Sequence, residues 1–157
     1  MAKTKRARTR FLKFFFFTYC IILLYLLFGR TYGWIDGLTY PQMLAQNVNL
    51  LPFLTIRNYL RVVFYNTNRE LFTHCVVNLL GNICLFVPIG YLLPRIWQKQ
   101  HNFFRFFFTC AGAIVLVETL QLFTLLGSFD VDDIILNLLG MLLGFLFFHI
   151  QNAFKKK

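Results

Sequence analysis

Seven polar residues stand within or at the edge of long apolar runs, and their types and spacing limit what they can do. Asn78 and Asn82 are four apart and so share one helix face, with Gly81 beside them. Glu118 and Gln121 are three apart on another face. Asp130, Asp133, Asn137, Gly140 and Gly144 follow at intervals of 3, 4, 3 and 4, a single stripe with acids at one end and glycines deeper. A carboxylate sunk in hydrocarbon costs about 3 kcal/mol or more, so it persists only with partners. Packing alone does not need such a group. Glu118, Asp130 and Asp133 therefore point to a polar ligand-binding cluster with Asn78, Asn82, Gln121 and Asn137, and Arg57, Arg61 or Arg69 could reach down to Glu118.

Plainer readings stand beside this one. Amides hydrogen-bond helices together, and Gly140 and Gly144 form a small-residue packing seam. Ser128 or Asp130 would cap a helix starting there, where acids suit the positive end of the dipole. Asp132 points off the stripe and reads as a solvated cap. A metal held by Glu118, Asp130 and Asp133 is conceivable, but no His or Cys lies at ligand spacing, and neither metal nor cofactor is expected. Nothing orients His74 and Ser128 as a catalytic dyad, and His149 reads as an interfacial residue. Cys20, Cys75, Cys84 and Cys110 each fall inside an apolar run without CxxC spacing and read as small buried hydrophobes.

The elements that must position these residues follow from composition. Of 157 residues, 58% are apolar and 14% charged, too few charges to solvate a soluble domain. The apolar runs cover residues 11–28, 71–93, 103–126 and about 131–150, the last extending toward Phe154. About twenty helical residues cross a ~30 Å hydrocarbon layer, so each run can span. None alternates as a barrel wall must. The expectation is a single all-α membrane domain over residues 1–157, with four transmembrane helices in one bundle. Phe28-Gly29-Arg30-Thr31 offers no cleavage site, so the first run reads as a retained signal anchor. Pro88 should kink the second span.

Charge sets the expected orientation. Of the 16 Lys and Arg residues, twelve fall on the side of the termini and of the loop holding Arg95, Lys99 and Arg105. Four (Arg30, Arg57, Arg61, Arg69) fall opposite, so both termini are expected in the cytoplasm. The basic clusters abut spans, which suits anionic lipid and argues against nucleic acid as a partner for the net charge of +10. The long outer loop, 29–70, begins with the turn residues Gly33, Asp36, Gly37 and Pro41. Ile56, Tyr59, Leu60, Val63 and Phe64 then recur at helical spacing, with Arg57, Asn58 and Arg61 opposite. This amphipathic helix either lies in the outer headgroup layer or packs over the bundle, and in both cases covers its outer mouth.

At these residues the sequence resembles the VanZ-like family of small bacterial membrane proteins. Three blocks carry the likeness, in the family's order: Asn49-Leu50-Leu51-Pro52-Phe53; Asn78-Leu79-Leu80-Gly81-Asn82 with Phe86, Pro88 and Gly90; and Glu118 and Gln121 through Gly127-Ser128-Phe129-Asp130-Val131-Asp132-Asp133 to Asn137 and Gly140. Many members carry an Arg just before the Asp-containing turn, where this chain reads Gly127-Ser128-Phe129. The resemblance implies a four-span cell-envelope protein linked to lowered susceptibility to the lipoglycopeptide teicoplanin, with membrane lipid or the acylated drug as partner. Two other classes stay open. One is a small transporter or lipid-moving protein, which with four spans needs a homo-oligomer, with Gly140 and Gly144 as a candidate seam. The other, less favoured, is an intramembrane enzyme on a lipid-linked precursor, with Glu118 or Asp133 as general acid or base.

The orientation is directly testable. A single cysteine placed at Asn66 in a cysteine-free background should react with a membrane-impermeant maleimide added to intact cells, and one placed at Lys99 should not. The reverse pattern overturns the orientation.

Overall fold

In hydrocarbon every backbone N–H and C=O must find a partner within the chain, and long apolar runs answer with helices. The computed structural model describes residues 2–29 and 36–155; Arg30 and Gly33 of the long loop, and Lys156 and Lys157, lie outside them. The helices are α1 (Ala2–Phe28), α2 (Tyr40–Gln46), α3 (Leu54–Tyr65), α4 (Arg69–Cys84), α5 (Val87–Ile96), α6 (Phe103–Thr124) and α7 (Val131–Phe154). Two two-residue strands, β1 (Val48–Asn49) and β2 (Phe129–Asp130), complete the elements that frame the site. Among the described residues, four stretches are long and apolar enough to cross a membrane: Arg6–Phe28, Arg69–Ile96, Phe103–Thr124 and Val131–Phe154. The chain is an all-α, multi-pass membrane protein.

The second stretch is broken, not merely kinked. Helix α4 ends at Cys84 and α5 begins at Val87, with Pro88 in the first turn of α5, where a helix lacks partners for its N–H groups in any case. The interruption is tied off locally: Leu85 N–H donates to Gly81 O at 2.9 Å and Phe86 N–H to Ile83 O at 3.2 Å. The Leu85 carbonyl receives the Tyr19 hydroxyl of α1 at 2.7 Å. One tyrosine thus fastens α1 to the break.

Helix α7 is the hub, lying most extensively against α5 and also against α4 and α6, while α1 rests on α5. The core is Leu23, Phe86, Phe106, Cys110, Ile114 and Met141. A second cluster of Phe16, Leu92 and Ile96 sits nearer the termini, with Trp97 edge-on to Phe16 at 5.3 Å. Beside it, Arg95 and Tyr91 both donate to Gln151 Oε1, at 2.8 and 2.7 Å, and Arg95 also bonds the Tyr91 hydroxyl. Much of the remaining apolar surface, such as Phe14, Ile21, Leu116, Phe123 and Phe147, points outward, as lipid requires. Cys84 is exposed with it, contrary to the expectation that all four cysteines are buried.

Close approach of α7 to the broken span depends on glycine. A Cβ at Gly140 would run into the Ile83 carbonyl, one at Gly144 into that of Val87, and one at Gly90 into that of Met141. The glycine stripe is therefore a seam within the protomer, not a surface left for a second copy.

Helix α3 departs from the simple amphipathic picture. Ile56, Tyr59 and Val63 are half-buried toward the bundle, but Leu60 and Phe64 are exposed beside Arg57 and Arg61. The apolar stripe is wider than the strip that α4 and α7 can cover, so its far edge shares a face with the arginines. Gly90→Ala and Gly140→Ala should each lower stability by about 1–3 kcal/mol. Gly112→Ala, with nothing within 4 Å of the added methyl, should change little. Denaturant midpoints in detergent check the contrast.

Candidate functional site

The site lies at the end of the bundle where β1 meets β2. The strands pair in parallel, Val48 opposite Phe129 and Asn49 opposite Asp130, and Phe129 N–H donates to Asn47 O at 2.8 Å. This bridge lays the long loop across the start of α7. Helix α2 is tethered nearby, its Tyr40 hydroxyl donating to the Phe123 carbonyl near the end of α6 at 2.7 Å.

Two aspartates hold that roof. Asp130 caps α7, accepting from Asp132 N–H at 2.8 Å. The same carboxylate receives the Thr55 hydroxyl at 2.6 Å and the Asn49 amide at 3.2 Å. Asp132 is not the solvated cap expected from its place off the stripe: it is 0% exposed. Its two oxygens accept Phe53 N–H at 2.5 Å and Ile56 N–H at 3.0 Å, so one carboxylate sits on the N-terminus of α3 while standing in the first turn of α7. The positive ends of both helices face it, an arrangement that suits a carboxylate. Phe53, at φ 64, takes a left-handed backbone that costs a non-glycine residue about 1 kcal/mol, and its bond to Asp132 holds it there.

Beneath the roof the sequence-predicted residues come together. A cavity of about 410 Å³ is lined by Asn78 and Asn82 of α4, Glu118 and Gln121 of α6, and Asp130, Asp133 and Asn137 at and below the start of α7. Tyr25, Leu27, Thr55, Tyr59 and Ser128 complete much of the wall. Asn82 donates to Asp133 at 2.5 Å. Asp130 N–H faces Glu118 Oε2 at 3.5 Å, a long contact. Gln121 donates to the Leu27 carbonyl at 2.9 Å, satisfying the frayed end of α1 and pinning it to α6. Gln121 is fixed from behind as well, since a Cβ on Gly127 would come within 3.0 Å of it. Asn78 turns partly along its own helix, donating to His74 O at 2.8 Å.

Electrostatically the cavity is one-sided. Glu118, at 3% exposed, shares it with Asp130 and Asp133, and none of the described residues lining it is Lys, Arg or His. Arg57 and Arg61 do not reach Glu118; they line a separate apolar recess on the outer face of α3 with Phe53, Leu60 and Phe64. Asn137 is 2% exposed and its Oδ1 has no hydrogen-bond partner. Among the described residues, no group of three or more His, Cys, Asp or Glu is placed to hold a metal ion. His74 stacks edge-on to Tyr59 at 6.0 Å and lies within hydrogen-bond distance of Asn78, one turn along α4. Sequence reasoning missed Asn49, Thr55 and Asp132 as structural partners of the site. Asn49 and Asp132 carried a signal, through their places in the first and third of the three blocks, and Thr55 carried none.

The sequence model of the VanZ/LLP1 family matches residues 15–152, a stretch that contains every residue of the cavity named above. No curated protein and no solved structure matches the chain.

Asp132→Ala should free the start of α3 without disturbing α6. Backbone exchange over residues 53–56 should accelerate roughly a hundredfold, as the loss of about 3 kcal/mol of charged hydrogen bonds requires. Hydrogen–deuterium exchange with mass spectrometry reads it.

Proposed function

The chain belongs to the VanZ/LLP1 family, and from that premise we propose a cell-envelope protein whose outward-facing intramembrane cavity binds an amphiphile. By binding or displacing such molecules in the outer leaflet it lowers susceptibility to teicoplanin-type lipoglycopeptides, which carry an acyl chain. The outward direction rests on the excess of Lys and Arg on the side of the termini.

One observation carries the reading: buried and half-buried polar side chains from three spans converge on one roofed cavity near one end of the bundle. A cavity at that depth meets the polar head of an amphiphile while the surrounding lipid accepts its tail. Binding requires the roof to part, and its attachment by a handful of hydrogen bonds to Asp130 and Asp132 suits a flap that opens as a unit. A lipid-moving dimer would have to use a surface other than Gly140 and Gly144, which the protomer itself fills.

A susceptibility assay tests the proposal in the native host. Deleting the gene should raise teicoplanin susceptibility. Complementation with Glu118→Gln at equal membrane level should fail to reverse it, and a glycopeptide without an acyl chain should show a smaller effect. If deletion and Glu118→Gln both leave susceptibility and surface binding of the drug unchanged, the reading is wrong.

A further inference from the structure

The cavity has a neighbour. Between α1 and α6 runs an apolar hollow of about 210 Å³, lined along α1 by Phe16, Cys20, Leu23 and Leu27 and along α6 by Cys110 and Ala113. Leu27 lines both this hollow and the polar cavity, so the two lie side by side at the end of α1, at the Gln121–Leu27 hydrogen bond. From Leu27 to Phe16 the helix rises ~16 Å, about half of a 30 Å hydrocarbon layer and so the depth of one leaflet. No polar surface interrupts it.

The polar half has a defined chemistry of its own. Three of its lining amides already donate to the protein: Asn82 to Asp133, Gln121 to Leu27 O and Asn78 to His74 O. Two buried acceptors are left under-satisfied. The Glu118 carboxylate has only a long contact with a backbone N–H, and the Asn137 oxygen has none although it is buried. A buried acceptor without a donor costs free energy until something supplies one. An anionic head would meet carboxylates there and be repelled.

Resting on the amphiphile-binding reading above, we propose that the ligand is a single-leaflet amphiphile whose head supplies hydrogen-bond donors, an amine or clustered hydroxyls, to Glu118 and Asn137, while its chain passes Leu27 into the hollow between α1 and α6. The shared chemistry is donation into an acceptor-rich cavity. A phosphate head is excluded from it. The tail gains nothing hydrophobic by leaving surrounding lipid, so selection lies in the head, and the hollow sets where the chain runs.

The full chain in phosphatidylcholine nanodiscs tests this with three hexadecyl probes carrying a mid-chain photoactivatable diazirine and an amine, a glucoside or a phosphate head. The amine, the glucoside or both should label peptides 16–27 and 109–117 saturably, whichever does so naming the donor source, and the phosphate probe should not. Glu118→Gln or Asn137→Leu should weaken saturable labelling about tenfold, the effect of losing one hydrogen bond to a charged or buried acceptor. Ala113→Trp, on the open side of the hollow, should move the cross-links out of it with helix content and melting unchanged. Labelling by the phosphate probe equal to the amine overturns the head assignment. Unsaturable labelling of all lipid-facing helices alike means annular lipid only and overturns the hollow. Saturable labelling with susceptibility indifferent to Glu118 would sink the resistance role alone, and Glu118-dependent susceptibility without saturable labelling would sink this ligand alone.

Discussion

A carboxylate removed from water must be met by donors, and at the head of α7 this requirement organises everything around it. Asp130 and Asp132 stand where the helix dipole is most favourable, but a dipole alone does not saturate two carboxylates. The remaining donors come from elsewhere in the chain: the Thr55 hydroxyl, the Asn49 amide, and two backbone N–H groups at the start of α3. Fixing the acids fixes the loop. A segment that packs on α4 and is tied to α6 through Tyr40 is thereby laid across the head of α7 as a roof, and the space beneath it becomes a cavity.

The same economy of partners runs through the spans. The break between α4 and α5 releases backbone groups into hydrocarbon, and they are recovered by a local turn and by Tyr19 from a different helix. The close seam between α7 and the broken span is made by Gly90, Gly140 and Gly144, where backbones touch without side chains between them. Away from these points the helices meet lipid through phenylalanine and leucine. The polar content of the membrane region is concentrated, and the cavity holds much of it.

The spans were legible because a hydrocarbon layer of fixed thickness imposes a length that composition alone reveals. The polar residues were legible because they stand where polar residues are costly, although that argument gives only their rough depth and not their partners. Other features were not legible, for identifiable reasons. Helical spacing assigns residues to faces but does not say which neighbour a face meets, so Asp132, off the stripe, looked solvated until α3 was found lying on it. Periodicity on α3 separated apolar from basic positions, yet only the width of the contact with α4 and α7 decides that Leu60 and Phe64 stay outside with Arg57 and Arg61. The glycine stripe identified a close approach, and nothing local in it distinguishes a seam within the protomer from one between protomers. Pro88 marks a disturbance from sequence; that the carbonyl beside it is met by a tyrosine of α1 is a tertiary contact no local pattern carries.

The parallel bridge has a consequence for how the protein is made. Asn49 and Asp130 are 81 residues apart, so at roughly 5–20 residues per second the ribosome takes about 4–16 s to deliver the second partner after the first. Through that interval three spans are already being inserted while the segment around Thr55 has no acid to settle on. The cavity is thus among the last things to form, closed only when the final helix supplies Asp130, Asp133 and Asn137.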